Sequence, residues 1–353
     1  MLEIEGKVQS INYKPLLCEE LPKYSIEELE EALRRTGPSI IRIDKNEIAL
    51  SRWVSAKRTR SYPYTHVYDS MGFGGKKLTV IPIFKDEGLD GDRDFLQFDT
   101  VSLMTLLNVN VIVAYYTDAE KNEKYPNKIT NQRYDVNYVS AKIKENLIFL
   151  SDALHWNREQ LKNLGEIADL AMKSYSNIAQ KLGVKMHSES SAIRKISILK
   201  EGGDFFMNKS RQSAREAQKR ESVSLQPKEF LEGEKGRITI TNFYNGYYAF
   251  TVDEAAIEGN KVYLIEAKHT RDKNMPSIYD IKDALLKLII YTNLKTVSIG
   301  EKTYEAVPML KLTSGKNIPY EELETDERKI LSKLKSEAES NGFKVSFNGK
   351  MVV

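Results

Sequence analysis

The chain has 353 residues, 41% of them hydrophobic, and 53 Lys and Arg residues against 50 Asp and Glu residues leave a net charge of only +3. This length can bury one large or two modest cores, and the composition is that of a soluble globular protein. Because the net charge is small, any contact with nucleic acid must come from local basic patches and not from a global field.

The cysteine count and the N-terminus indicate where the chain resides. The single cysteine, Cys18, excludes an intramolecular disulfide and a cysteine-based zinc cluster, and it favours a reducing setting. Glu3, Glu5 and Lys7 interrupt the N-terminus before the apolar region of a secretory signal could form. The longest strongly apolar stretches, such as residues 109–116, are too short to span a bilayer. We therefore expect a cytoplasmic protein.

The first third of the chain predicts mixed helices and strands. Residues 25–35 predict a short helix, with Ser25 as N-cap and Glu28 completing a capping box. The pattern of residues 98–107 is ambiguous. Three segments have the alternation or the β-branched content of strands: residues 40–50, 77–84 and 109–116.

A basic stretch at residues 51–68 is a candidate contact with nucleic acid. It contains Arg52, Lys57, Arg58 and Arg60, interleaved with Trp53, Tyr62, Tyr64 and Tyr68. Arg and Lys side chains contact phosphates or guanine, and aromatic rings stack on exposed bases. The alternative is a solvated basic loop whose aromatic residues anchor it to the core, and the sequence favours neither.

An acidic cluster at residues 86–94 is the rival metal site. Its members are Asp86, Glu87, Asp90, Asp92 and Asp94. The alternating carboxylates are similar to the opening of an EF-hand loop, but Phe95 and Val101 occupy the positions that need Gly and Glu. A turn between two strands is therefore the better interpretation. The four histidines also lack the spacing of a zinc site.

The middle of the chain is helical. Leucines and isoleucines recur mostly three and four positions apart over residues 137–182, which predicts helices that build core. Residues 209–220 place Arg211, Arg215 and Lys219 on one stripe of a helix. Such a stripe suits a phosphate backbone, although a solvated helix face is the more common meaning.

The most informative segment is a hairpin formed by residues 247–254 and 261–270. Gly259 and Asn260 predict its two-residue turn, because both residues tolerate positive φ. With Glu258 opposite Lys261, the register pairs Ile257 with Val262, Ala255 with Leu264, Asp253 with Glu266, and Thr251 with Lys268. A slip of one residue would turn Asp253 to the other face and place Glu254 on this face instead.

This register places Asp253, Glu266 and Lys268 on one face of the hairpin. Cross-strand Cβ atoms lie about 5 Å apart, so the two carboxylates repel unless a divalent cation lies between them. The alternative is three surface charges on an exposed strand. Against it, Tyr263, Leu264 and Ile265 make the second strand apolar on both faces, which is typical of a covered strand.

The elements after the hairpin are a helix, a strand and a charged terminal helix. Ser277 predicts the N-cap of the first helix with Asp280 three positions on, and Ile281, Leu285 and Leu288 line its buried side. Residues 302–312 predict the strand, and residues 320–341 predict the terminal helix.

At these residues the chain resembles the PD-(D/E)xK nuclease superfamily, which includes many type II restriction endonucleases. The resemblance covers residues 193–312 and depends on Asp253 and on Glu266-Ala267-Lys268 at the end of an apolar strand. Val252 stands where the family name has Pro. The resemblance implies that Asp253 and Glu266 bind a catalytic Mg²⁺ and that Lys268 positions or activates water. A Glu from the preceding helix sometimes completes such a site, and Glu216 and Glu221 are the candidates here.

The expected fold is α/β (mixed α+β), with a central mixed β-sheet flanked by helices. Residues 1–136 would form an N-terminal α/β region for DNA recognition, and residues 137–353 a helical segment plus a restriction-endonuclease-like core. The expected function is Mg²⁺-dependent, sequence-specific hydrolysis of double-stranded DNA by a type II restriction enzyme, with a homodimer as the family's habit. The alternatives are a nucleic-acid-binding protein that keeps the fold without cleavage, and a structure-specific DNA repair nuclease.

Overall fold

Helices and strands are mixed along the whole described chain. The computed structural model describes residues 1–56, 61–188, 193, 197, 234–242, 247–316 and 318–353. Eight of the predicted site residues lie outside this part of the chain: Lys57, Arg58, Arg60, Arg211, Arg215, Lys219, Glu216 and Glu221. Of the helices within it, none is long and apolar enough to cross a bilayer.

The elements up to residue 182 are β1 (Leu2–Val8), β2 (Lys23–Ser25), α1 (Leu29–Arg34), β3 (Ser39–Ile43), β4 (Asn46–Arg52), α2 (Ser61–Met71), β5 (Lys76–Pro82), β6 (Phe84–Asp86), β7 (Arg93–Phe95), α3 (Phe98–Leu106), β8 (Asn110–Ala114), β9 (Tyr116–Lys121), β10 (Ile129–Tyr134), α4 (Val136–Ile148), α5 (Ala153–Lys162) and α6 (Leu164–Leu182). The later elements are β11 (Glu234–Asn242), β12 (Tyr247–Glu258), β13 (Lys261–Thr270), α7 (Ile278–Tyr291), β14 (Leu294–Ile299), β15 (Lys302–Ser314), α8 (Thr325–Asn341), β16 (Lys344–Phe347) and β17 (Lys350–Met351). Short 3-10 turns precede α1 (Ile26–Glu28) and α8 (Tyr320–Glu322).

The chain divides into two units, and the division differs from the predicted boundary after residue 136. The first unit consists of Met1–Glu20, Tyr64–Gly72 and Ala214–Val353, and the second of Leu21–Pro63 and Phe73–Ser213. Strand β1 belongs with the C-terminal strands because it pairs in parallel with β11 along its whole length. Helices α4 and α5 belong with the N-terminal strands because they pack on β8.

The first unit is built on an eight-stranded mixed sheet in the order β13-β12-β11-β1-β14-β15-β16-β17. Strand β15 also pairs in parallel with β13, so the pairings from β13 round to β15 close on themselves. A closed set of pairings leaves these strands without a free edge. The fold is therefore mixed α+β around a central mixed sheet, as the sequence predicts.

Helix α7 packs on β13 and β15. Its predicted start is confirmed, because the backbone N–H of Asp280 donates to the Ser277 hydroxyl at 3.2 Å. Ile281, Leu285 and Leu288 are fully buried, which confirms the predicted apolar side of the helix. Burial of such leucine and isoleucine side chains contributes about 1.5–3 kcal/mol each.

The second unit has a five-stranded sheet in the order β2-β3-β4-β5-β8 and two small two-stranded sheets. The capping box that starts residues 25–35 is present, with the Ser25 N–H donating to Glu28 Oε2 at 2.7 Å. Residues 40–50 are not one strand but the hairpin of β3 and β4, which turns at Asp44 with φ of 53°. The ambiguous residues 98–107 form helix α3, and the run at 109–116 divides between β8 and β9.

Candidate functional site

The β12–β13 hairpin has the predicted register. Its ladder runs from Glu258 opposite Lys261 to Glu254 opposite Ile265. Gly259 takes the positive φ, 61°, that the turn requires and that glycine adopts without strain. The turn chemistry and the apolar alternation were therefore enough to fix the pairing of these two strands.

Beyond Glu254 the two strands separate, so the predicted cross-strand pairs of Asp253 with Glu266 and of Thr251 with Lys268 are not part of the ladder between these described strands. A side-chain contact bridges the gap instead. The backbone N–H of Ala267 donates to Asp253 Oδ2 at 2.9 Å. Asp253 therefore still lies beside the Glu266-Ala267-Lys268 segment, as predicted, but at the fork between two diverging strands.

A β-bulge explains why the strands part at this point. The flanking pairs of the β11–β12 ladder are Gly236 with Val252 and Glu234 with Ala255. Asp253 and Glu254 together therefore oppose the single residue Lys235. A bulge bends its strand and re-aims its side chains, and such bulges are common next to active sites. Glu254, the alternative metal ligand, instead forms an ion pair with Lys311 at 3.3 Å.

Glu266 is the most deeply buried of the acidic and basic groups of this site, with an exposed side-chain fraction of 0%. The Lys287 ammonium lies 2.6 Å from its Oε2, and the Tyr291 hydroxyl donates to its Oε1 at 2.8 Å. Burial, followed by the charge of Asp253, raises the pKa of Glu266 to about 8 despite the two nearby lysines. Two donors therefore hold the carboxyl group in place, and the charge of Asp253 disfavours its ionised form.

Lys268 lies two residues after Glu266 on the same face of β13. Its ammonium pairs with the carboxylate of Asp283 on helix α7 and not with Glu266. It still acts on Glu266 at longer range, because its charge lowers the Glu266 pKa. Asp283 is buried, so this pair is shielded from water and from salt.

Three polar residues of α7 complete the site, and the sequence reasoning missed them. Asp283, Lys287 and Tyr291 are spaced i, i+4 and i+8, which places them on one face of the helix. That face covers the strand segment that carries Glu266 and Lys268. The spacing was visible in the sequence as a polar stripe in an otherwise apolar helix.

The ionisable groups of the site are closely coupled. Burial lowers the Lys287 pKa, but the carboxylates of Glu266, Asp253 and Asp283 outweigh burial and hold that pKa above its ordinary value. Burial and Glu266 also raise the pKa of Tyr291, so its hydroxyl remains a donor. Among the described residues, no cluster of three or more His, Cys, Asp or Glu side chains is arranged to hold a metal ion.

The basic stretch at residues 51–68 has one described candidate contact, Arg52, and its guanidinium is occupied. Arg52 Nε donates to the carbonyl oxygen of Arg35 at 2.6 Å, and Nη2 donates to that of Arg34 at 3.1 Å. It thus caps the C-terminal end of α1, where unpaired carbonyls need donors. The aromatic residues Trp53, Tyr64 and Tyr68 are buried, which agrees with the alternative that they anchor the stretch.

The acidic cluster at residues 86–94 connects β6 and β7, which confirms the predicted turn. Two of its carboxylates already have cationic or imidazole partners. Asp86 Oδ1 lies 2.8 Å from His187 Nδ1, and Glu87 pairs with Lys85 and Lys128. These pairs give the cluster a structural explanation.

Comparison with protein-family models, with curated proteins and with solved structures finds no match for this chain.

Proposed function

We propose that the chain is an Mg²⁺-dependent DNA endonuclease of the type II restriction class. One observation carries the proposal: a fully buried Glu266 lies beside Asp253, at a strand fork whose second strand also carries Lys268. An acid whose pKa is raised by burial and by a neighbouring carboxylate is costly for folding, and such groups concentrate at functional sites.

The donor set fits Mg²⁺, because this ion takes one or two carboxylates and leaves its other positions to water and substrate phosphates. Asp253 and Glu266 are the residues that would hold it. Both Glu266 oxygens already accept one hydrogen bond, but each carboxylate oxygen has a second lone pair available. Bound there, the ion would neutralise charge on the scissile phosphate and provide an activated water.

The remaining residues have distinct roles in this proposal. Lys268 donates to the attacking water or to a phosphate oxygen, and Asp283 orients its ammonium. Lys287 and Tyr291 donate to separate oxygens of Glu266 and so fix the plane of its carboxyl group. Positioning of this kind supplies much of the barrier reduction in phosphate chemistry.

The cellular setting is also part of the proposal. A restriction enzyme acts on double-stranded DNA in the cytoplasm, and a homodimer would match a palindromic target by symmetry. The described part of the chain contains no helix that could cross a membrane, which agrees with such a setting.

The test is to incubate the purified protein with phage DNA and Mg²⁺. Discrete fragments are expected, and the variants Asp253→Asn and Lys268→Ala are expected to lose cleavage while remaining folded by circular dichroism. Glu258→Gln is the matched control, because Glu258 is an exposed carboxylate at the turn of the same hairpin.

Intact DNA under all conditions, or unchanged cutting by the two site variants, would overturn the assignment. Salt-sensitive DNA binding without any Mg²⁺-dependent product would favour a non-cleaving binding protein. A preference for branched or damaged DNA over linear duplex would favour a repair nuclease.

A further inference from the structure

The carboxyl ends of β13 and β15 lie side by side next to the candidate site. The two strands run parallel, from Lys261 opposite Glu305 to Thr270 opposite Ser314. Lys268 lies near the end of β13. A substrate strand bound at the candidate site would therefore approach this end of the two strands.

Three cationic residues follow these strand ends directly. Arg271 and Lys273 lie in the segment after β13, and Lys316 lies in the turn after β15. All three are exposed. None has a carboxylate partner within 4.0 Å among the described residues, whereas Lys268 and Lys287 are both paired. The surface also carries the exposed Asp272. The Lys316 ammonium donates to Asn274 Oδ1 at 3.4 Å, and the amide nitrogen of Asn274 donates to the carboxylate of Glu327 at 3.1 Å.

The backbone beneath these cations is tied together by hydrogen bonds. The N–H of Gly315 donates to the Thr270 carbonyl at 2.8 Å, and the Ser314 hydroxyl donates to the Lys273 carbonyl at 2.6 Å. A Cβ on Gly315 would lie 2.7 Å from the carbonyl oxygen of Arg271, so the close approach of the two segments requires glycine. The surface is therefore preorganised, which lowers the entropy lost when a ligand binds.

We propose that Arg271, Lys273 and Lys316 form a platform that contacts the phosphates of a DNA backbone beside Lys268. The proposal rests on the proposed function, and it names the residues that hold the substrate. Arg271 lies three positions after Lys268, so the chain between them spans at most about 10 Å. A DNA strand carries one phosphate per about 3.4 Å of axis, so that distance corresponds to about three nucleotides. Exposed Arg and Lys side chains on a fixed backbone provide such sequence-independent contacts.

The test measures binding of a fluorescein-labelled duplex of random sequence by anisotropy, in EDTA, as a function of salt. The double variant Arg271→Ala/Lys316→Ala is compared with Lys261→Ala/Lys302→Ala, which removes the same charge from the opposite ends of the same two strands. Lys261 and Lys302 are exposed. We expect the first pair to reduce the slope of log K against log salt by about 2 and the second to leave it unchanged. Adding Lys273→Ala to the first pair is expected to reduce it by about one more.

Equal effects of the two double variants would overturn the platform, because only net charge would then matter. Failure of the platform and failure of the proposed function are distinguishable. A protein that cleaves DNA but binds it equally well without Arg271 and Lys316 refutes only the platform. A protein that binds through these residues but yields no Mg²⁺-dependent product refutes only the cleavage.

Discussion

The ammonium of Lys268 pairs with Asp283, a residue of the helix that follows the hairpin, and not with its neighbour on the strand, Glu266. The acid Glu266 has its own cation, Lys287, from one turn further along the same helix. Each of these two strand residues therefore has its ion-pair partner on the helix. Helix α7 is consequently part of the candidate active site and not only a cover for the sheet.

Removal of the Lys268 partner should lower activity without abolishing it. In Asp283→Asn the ammonium of Lys268 keeps a hydrogen-bond acceptor but loses the charge that orients it. We expect kcat for DNA cleavage to fall about tenfold to a hundredfold, as when outer-shell partners of ligands are removed. Single-turnover cleavage at saturating protein measures this, with the exposed Asp326→Asn as control. An unchanged rate would separate Asp283 from the reaction.

The stability of the metal-free protein should fall as pH rises from about 4.5 to about 8. The folded pKa of Glu266, about 8, lies above the ordinary value of 4.5, so the folded state keeps a proton that the unfolded state has released. Folded protein therefore binds more protons in this window, and the free energy of unfolding declines with increasing pH. In Glu266→Gln the side chain at position 266 does not titrate, so its part of this decline in the free energy of unfolding should disappear.

Urea unfolding of both proteins across this window is the measurement. The difference in unfolding free energy between wild type and Glu266→Gln cancels other titrating groups, such as the buried Glu337, whose pKa is also raised by burial. We expect the free energy of unfolding of the variant to increase relative to that of the wild type as the pH rises. A difference that stays constant with pH would mean that Glu266 titrates normally.

Lys287→Met should destabilise the protein more at high pH than at low pH. Lys287 remains charged throughout, because its pKa lies above the ordinary value, whereas Glu266 changes from neutral to charged near pH 8. Lys287 lowers the Glu266 pKa, so its removal raises that pKa further, and above pH 8 the variant must either hold the extra proton or bury a carboxylate without its counter-charge. The side chain of Lys287 is 26% exposed, so we expect about 3 kcal/mol, the lower end for breaking a buried pair. A double-mutant cycle with Glu266→Gln measures the coupling, and a coupling near zero at high pH would contradict the pairing.

Sequence patterns predicted the parts of this site that depend on local rules. The turn at Gly259 set the register of the hairpin, and Ser277 set the start of α7. The patterns could not show which strand residues the polar stripe of α7 covers, since that depends on how the helix packs on the sheet. The role of Arg52 was hidden for the same reason, because the carbonyls it caps come from a helix 17 and 18 residues earlier in the chain.

A buried ion pair behind the site should be essential for stability. Lys282 is fully buried on α7, and its ammonium lies 2.8 Å from Asp69 of α2 and 3.0 Å from Glu19. Burial lowers the Lys282 pKa, but these carboxylates more than restore it, so the group is charged. Lys282→Met leaves the buried Asp69 without a cation, and such a loss costs about 3–5 kcal/mol.

The control for this prediction is Lys329→Met, which removes an exposed pair with Asp326 that contributes about 0–1 kcal/mol. Urea unfolding of the two variants should therefore differ by several kcal/mol, and Asp69→Asn combined with Lys282→Met should recover part of the loss, because no unpaired buried charge remains. Equal stabilities of Lys282→Met and Lys329→Met would show that the Asp69–Lys282 pair adds nothing to the fold. If Lys282→Met kept its stability but lost cleavage, the role of Lys282 would instead be to position Asp283, the next residue on the helix.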